Sequence, residues 1–277
     1  MARKMKNKLH LSALAALAMV CTGGAFAEGN TVTLNTNLNV EASDTCTINI
    51  TPVGKTTWSP KWTLAKNGQS GNLTKGENDS NDPLLIKVKL TDDSSENCSL
   101  AQLSIGANAP TAFPQNLGNG GTYAVATKHD GYWLYMPVAT KLALFTDTAG
   151  TATKAVALNK VTVTDAAGGS HPQSESAVHS AMAEVTGVAD FDSNTAVPLT
   201  DSYLAANGVA PLSNANSSST LSYTATLDAG QKVKSALIGV GVLLAKDPVD
   251  ENGAVDLRAV ADGETVSLPF TLNVVLP

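Results

Sequence analysis

The sequence predicts an all-β fold of the sandwich type, and three observations carry that expectation. Short runs of alternating apolar and polar residues recur along the chain, which is the period of a half-buried strand. Turn-forming clusters separate them at Asn67-Gly68, Asn119-Gly120-Gly121, Asp130-Gly131, Ala149-Gly150 and Asn252-Gly253. The composition is rich in Thr, Val, Asn, Gly and Ala, with aromatics at 5%, and strands follow strands instead of alternating with helices as in a βαβ protein.

The chain opens with an export signature. Arg3, Lys4, Lys6 and Lys8 form a basic stretch with no acidic residue; residues 9–20 are apolar except for His10 and Ser12; Ala25-Phe26-Ala27 is a small-x-small cleavage site. The apolar run is well short of the roughly 20 residues a membrane span needs. Ala18-Met19-Val20 before Cys21 makes a poor lipoprotein signal. A signal peptide is therefore expected over 1–27, with Glu28 as the first mature residue and export through the inner membrane. The full chain carries a formal charge of −6, and loss of the basic leader makes it more acidic still. That sign excludes nucleic acid and an anionic lipid surface as expected partners. The length suits one large β domain, or one domain with an insertion.

After the leader, Val32, Leu34, Leu38, Val40 and Ala42 all fall on even positions, and Thr36 is the only weak member. They predict one long strand with a single apolar face, roughly 40 Å when extended. Two cysteines follow, Cys46 and Cys98. An even count in an oxidising compartment predicts a disulfide, and closing a loop of about 50 residues is worth about 4 kcal/mol in the chain-entropy account. Leu84, Ile86, Val88 and Leu90 alternate with Lys87 and Lys89; Leu103 and Ile105 are expected on a neighbouring strand; Leu221, Tyr223, Ala225 and Leu227 form another period-two set. Residues 240–244 are apolar on both faces, as in a central strand.

The middle of the chain reads differently. Residues 176–188 have helical composition, and 200–206 reads as a short helix capped by Asp201 or Ser202, so about 165–220 is expected to be an insertion of loops and short helices. At the other end Val266, Leu268, Phe270, Leu272, Val274 and Leu276 alternate without exception, opposite Thr265, Ser267, Pro269, Thr271 and Asn273. Pro269 cannot donate to a ladder, which predicts an edge strand or an unpaired face at that point. An apolar edge of this length is an aggregation hazard unless something covers it.

An alternating N-terminal extension, a cysteine pair and an alternating final strand together resemble the chaperone–usher fimbrial subunits. The segments LNVEASDTCTINI, ENCSLAQLSI and GETVSLPFTLNVVLP are most similar to the Dr-type adhesins and the large adhesive major subunits served by long-loop chaperones. The resemblance implies an incomplete immunoglobulin-like sandwich lacking its last strand, whose groove is filled first by a periplasmic chaperone and then by the extension of the next subunit. Such donor-strand complementation is a known form of strand addition. It implies a division into signal peptide (1–27), N-terminal donor-strand extension (28–42) and immunoglobulin-like pilin domain (43–277) with the insertion at about 165–220. Val32, Leu34, Leu38 and Val40 would be donor residues. Val266, Leu268, Phe270, Leu272, Val274 and Leu276 would form the groove and chaperone-contact strand. In these relatives the disulfide ties the first strand to the second. The implied partners are identical or related fimbrial subunits, a periplasmic chaperone, an outer-membrane usher and a host-surface receptor; the implied location is a fimbrium on the cell surface, reached through the periplasm. At about 250 mature residues the chain is longer than small pilins, which the insertion would account for.

No enzyme is expected. His129, His171 and His179 form no metal-binding or H-E-x-x-H set, no G-x-S-x-G or phosphate loop occurs, and Asp92-Asp93 lacks calcium-loop spacing; no cofactor or metal is implied. Tyr132, Trp133 and Tyr135 follow the Asp130-Gly131 turn and are read as a receptor-binding cluster, whereas Trp58 and Trp62 are read as core residues beside the disulfide. The competing function is a monomeric secreted or surface-located β-sandwich that binds carbohydrate or protein. It differs in folding its N-terminal strand back into its own sheet.

Overall fold

The computed structural model describes residues 30–33, 36–41, 46, 48–54, 58–65, 68–74, 83–91, 98–108, 117, 122–164, 170–172, 178–179, 195–200, 202–203, 212, 221–261 and 264–276. The leader with its cleavage site, Leu34, Ala42 and the Asp92-Asp93 pair lie outside them. In chain order the strands are β1 (Asn30–Thr33), β2 (Thr36–Glu41), β3 (Ile48–Val53), β4 (Lys61–Leu64), β5 (Gly71–Thr74), β6 (Leu84–Leu90), β7 (Gln102–Asn108), β8 (Tyr123–Ala126), β9 (Tyr132–Phe145), β10 (Val161–Thr164), β11 (Ser170–Pro172), β12 (Val178–His179), β13 (Ala196–Pro198), β14 (Ser202–Tyr203), β15 (Leu221–Ala225), β16 (Ser235–Ala245), β17 (Thr265–Ser267) and β18 (Phe270–Val275). Among the described residues the helical elements are two single 3-10 turns, Ala152–Lys154 and Leu158–Lys160. The fold is all-β.

The strands form three larger sheets and a small ribbon. The first sheet runs β17-β1-β4-β5; the second β11-β10-β15-β7-β18-β2; the third β3-β6-β16-β9-β8, with β13 also on β16; β12 and β14 pair alone. Alternation explains which faces are buried. In β6, Leu84, Ile86, Val88 and Leu90 are buried while Lys87 and Lys89 turn toward solvent. β16 is buried on both faces from Val240 to Ala245, flanked by β6 and β9 at one end and by β13 and β9 at the other. A bulge sets Thr140 and Lys141 of β9 against Gly239 alone. These buried faces share one continuous hydrophobic cluster. Two tight turns need positive φ: Gly68 (φ 65°) between β4 and β5, and Asp130 (φ 58°) between β8 and β9. Asp is one of the few side chains that tolerates this region.

The disulfide joins Cys46 to Cys98 with Cα atoms 5.6 Å apart. It ties the segment entering β3 of the third sheet to the segment entering β7 of the second. The structure corrects two expectations. β7, with Leu103 and Ile105, is not beside β6; it pairs with β15 and β18. Period two tells which face a residue occupies but not which strand lies next to it.

The short helix expected at 200–206 is absent at Ser202–Tyr203, which is a strand paired with Val178–His179. Tyr203 is buried, and that burial outweighs the weak local helix preference. Of 176–188, only Val178–His179 is described, as strand; 180–188 lies outside. Within 165–220, Ala196, Val197, Leu199, Tyr203 and Leu212 are buried, and Leu212 links two sheets: its N–H donates to the Pro137 carbonyl (2.9 Å) and its carbonyl accepts from the Ala107 N–H (2.7 Å).

Candidate functional site

The two ends of the chain lie side by side. β1 runs parallel to β17, placing Thr31, Val32 and Thr33 opposite Thr265, Val266 and Ser267. β2 runs parallel to β18, from Thr36 opposite Phe270 to Glu41 opposite Val275. The register does not slip between the two halves, so the N-terminal arm accompanies the C-terminal run from the first sheet into the second. The single long strands read from the sequence at each end are therefore two strands each. At the C-terminal end the break falls at Leu268-Pro269. Having no N–H, Pro269 leaves no donor stranded where the chain changes sheets.

Apolar positions coincide across this ribbon. Val32, Leu38 and Val40 stand at the register positions of Val266, Leu272 and Val274, and Asn39 stands opposite Asn273. In β18, Phe270, Leu272 and Val274 are buried and alternate with half-buried Thr271, Asn273 and Val275. Val266, Leu268 and Leu276 are buried as well. All six residues of the predicted groove strand thus face the interior.

β1 is held from both sides. Beyond β17 it pairs antiparallel with β4, Asn30 opposite Trp62 and Thr31 opposite Lys61. In the first sheet β17 and β4 are joined through β1 alone. β2, by contrast, is the last strand of the second sheet. The body of the chain, from β3 onward, therefore has a slot between β17 and β4 that continues along the free edge of β18, and the arm fills it. The sequence reading had placed these arm residues between molecules; within one chain they pair with that chain's own C-terminal strands.

Aromatic side chains brace the slot from below. Trp62 is buried, donates from Nε1 to Asp247 Oδ1 (3.0 Å), and meets Trp133 edge-on at 5.7 Å between ring centroids. Trp133 Nε1 donates to the Ala245 carbonyl (3.0 Å). The Tyr135 hydroxyl donates to the Pro269 carbonyl (2.5 Å), at the sheet switch itself. Burial, with a smaller push from neighbouring Tyr123, holds the Tyr135 phenol well above its ordinary pKa.

This geometry corrects the receptor-cluster expectation. Trp133 and Tyr135 are 0% and 1% exposed, and only Tyr132 is half-buried. β9 lies between β16 and β8 with core on both sides along this stretch, so a turn just before it does not expose the strand that follows. Trp58 and Trp62 are both buried. Sequence reasoning missed β4 as the far wall of the slot and Tyr135 as the brace at Pro269. Neither has a local sequence signal beyond an aromatic in a short alternating run.

Beyond the slot, one loop is tightly organised. Asp147 accepts from the Thr151 hydroxyl and from the backbone N–H groups of Gly150 (2.9 Å) and Thr151 (3.0 Å). These bonds, the hydroxyl first, lower its pKa. Lys87 Nζ donates to the Ala149 carbonyl in the same loop. The arrangement closes a turn on itself. Among the described residues no group of three or more His, Cys, Asp and Glu gathers to hold a metal. No family model, curated protein or solved structure matches this chain.

Proposed function

We propose that this chain is an exported surface subunit, an incomplete immunoglobulin-like sandwich that polymerises by exchanging its N-terminal strands into the slot of a second copy. Fimbrial assembly through a periplasmic chaperone and an outer-membrane usher is the setting this reading implies, with adhesion to a host receptor as the outcome. One observation carries it. β1 occupies a place between β17 and β4 that no other described strand fills, so the described body without its arm lacks a strand there. The apolar alternation of arm and slot supports the same reading, because either chain's arm would present the same face.

The test is assembly in the native envelope or from purified components. Surface material should run as an SDS-resistant ladder, and Leu34→Asp with Leu38→Asp should leave soluble subunits that do not extend it. A ladder unaffected by that double substitution would refute strand exchange through the arm.

A second reading has a specific observation in its favour. The arm is paired within its own chain, which is what a self-contained, monomeric binding domain would show. A native protein that is monomeric at all concentrations, with its N-terminal strands protected from protease, would establish that reading in place of the first.

A further inference from the structure

We propose that β1 and β2 are an intramolecular latch: paired in the chain's own slot, they hold the subunit closed to assembly, and their release is the step that admits a second copy. The latch presupposes the strand-exchange reading above and adds to it a regulated monomer.

The argument starts from connectivity. β2 is an outermost strand that pairs with β18 alone. Peeling it away leaves the remaining order β11-β10-β15-β7-β18 with every other ladder intact. β1 can then leave with it, because among the described residues β1 pairs only with β17 and β4. Among the described residues the arm's departure breaks no pairing between body strands and leaves the place between β17 and β4 open. Its root is fixed. Only residues 42–45 separate the end of β2 from Cys46, and Cys46 is bonded to Cys98. Cys98 in turn leads into β7, the strand on the other side of β18. The disulfide therefore anchors the arm close to the slot it fills.

Tethering at that distance decides the competition. A strand on a short linker meets its own slot at an effective concentration in the roughly millimolar range. Against subunits at micromolar concentration the arm in cis is favoured by about a thousandfold, if both arms make the same contacts. A closed chain then persists as a monomer, and elongation waits on opening.

The test locks the latch. Asn39 and Asn273 are register partners, so Asn39→Cys with Asn273→Cys places two thiols within disulfide range while Cys46–Cys98 is retained. Thr31→Cys with Thr265→Cys, a register pair in the other half of the arm, serves if the first variant does not fold. Oxidised protein should carry the new bond within one chain, seen as a cross-linked pair of peptides in a monomer. It should fail to elongate, and mild reduction of the added bond should restore elongation to the wild-type rate. Elongation of the locked monomer at the wild-type rate, or a bond that forms only between chains, overturns the latch while leaving strand exchange standing. A wild-type chain that never elongates, with or without a catalyst of opening, overturns both.

Discussion

A double-mutant cycle across Leu38 and Leu272 measures whether the arm lies where the register puts it. Leu272 is fully buried in β18, and Leu272→Ala removes three carbons. At about 0.8 kcal/mol each, transfer alone costs about 2.4 kcal/mol, and the residual cavity raises the total to about 3–5 kcal/mol. Leu38 is its direct partner on β2, the outermost strand of the second sheet. Leu38→Ala should cost less, because an edge strand can detach locally without global unfolding. The two substitutions should not add: side chains directly opposite on neighbouring strands couple by about 0.5–1 kcal/mol. The assay is urea unfolding at concentrations where the protein sediments as a monomer. Buried Trp62 and Trp133 supply the fluorescence signal. Leu38→Ala combined with a substitution in the third sheet, such as Ile238→Val, provides the distant pair that should add. If the Leu38–Leu272 pair also adds to within about 0.3 kcal/mol, β2 does not pack beside β18 in the monomer, and the latch loses its basis.

Two further outcomes concern buried aromatic side chains. Gly71→Ala would set a Cβ 2.0 Å from Asp247 Oδ1 and 2.3 Å from Trp62 Nε1; it should break the Trp62–Asp247 bond and cost about 1–3 kcal/mol, read as a lower urea midpoint with altered tryptophan emission, whereas an unchanged midpoint would mean that β5 moves aside freely. Burial raises the phenol pKa of Tyr223 and of Tyr135, so their stabilising contribution is whole below the unfolded value of about 10 and is lost as pH rises from there toward the folded values. Stability should therefore fall steeply above about pH 10, and Tyr223→Phe should flatten that fall; an equal slope in the variant would contradict the assignment.

Much of the fold was legible because alternation is local. β6, β15, the buried half of β16 and the inward face of the C-terminal run could each be read from period two alone. The disulfide followed from the count of cysteines and the leader. What could not be read was neighbourhood. Nothing in Gln102–Asn108 says that it pairs with β18 and not with β6, since both faces and both edges satisfy the same pattern. Pro269 announced an interruption, but whether the strand ends, bends or changes sheet depends on what flanks it.

The receptor cluster failed for a related reason: Asp130-Gly131 predicts the turn correctly but says nothing of whether β8 and β16 enclose the strand that follows. Residues 200–206 misled through local preference: they read as a short capped helix, yet Ser202–Tyr203 is a strand paired with Val178–His179 and Tyr203 is buried.

The register between arm and slot is better determined than its degenerate alternation suggests. A slip by one residue would bring Asn37 and Asn39 to the register positions of Leu38 and Val40, opposite buried Leu272 and Val274. An amide without a partner costs about 1–3 kcal/mol by protein mutational data, so a one-residue slip is excluded by polarity. A slip by two preserves polarity, and volume must exclude it instead. In the observed register Thr36, the smallest even position of β2, stands opposite Phe270, the largest side chain on the slot strand, and Leu38 and Val40 stand opposite Leu272 and Val274. Shifting the arm by two in one direction would set Leu38 against Phe270 and Thr36 at the sheet switch, and in the other would set Thr36 opposite Leu272. One arrangement overfills the face at Phe270, and the other leaves it short of apolar volume further along. The weak member of the arm's alternation therefore acts as a register mark: a Thr36→Leu chain should lose preference between the observed pairing and its two-residue neighbours, while Thr36→Val, which keeps the branching and nearly the volume, should hold it.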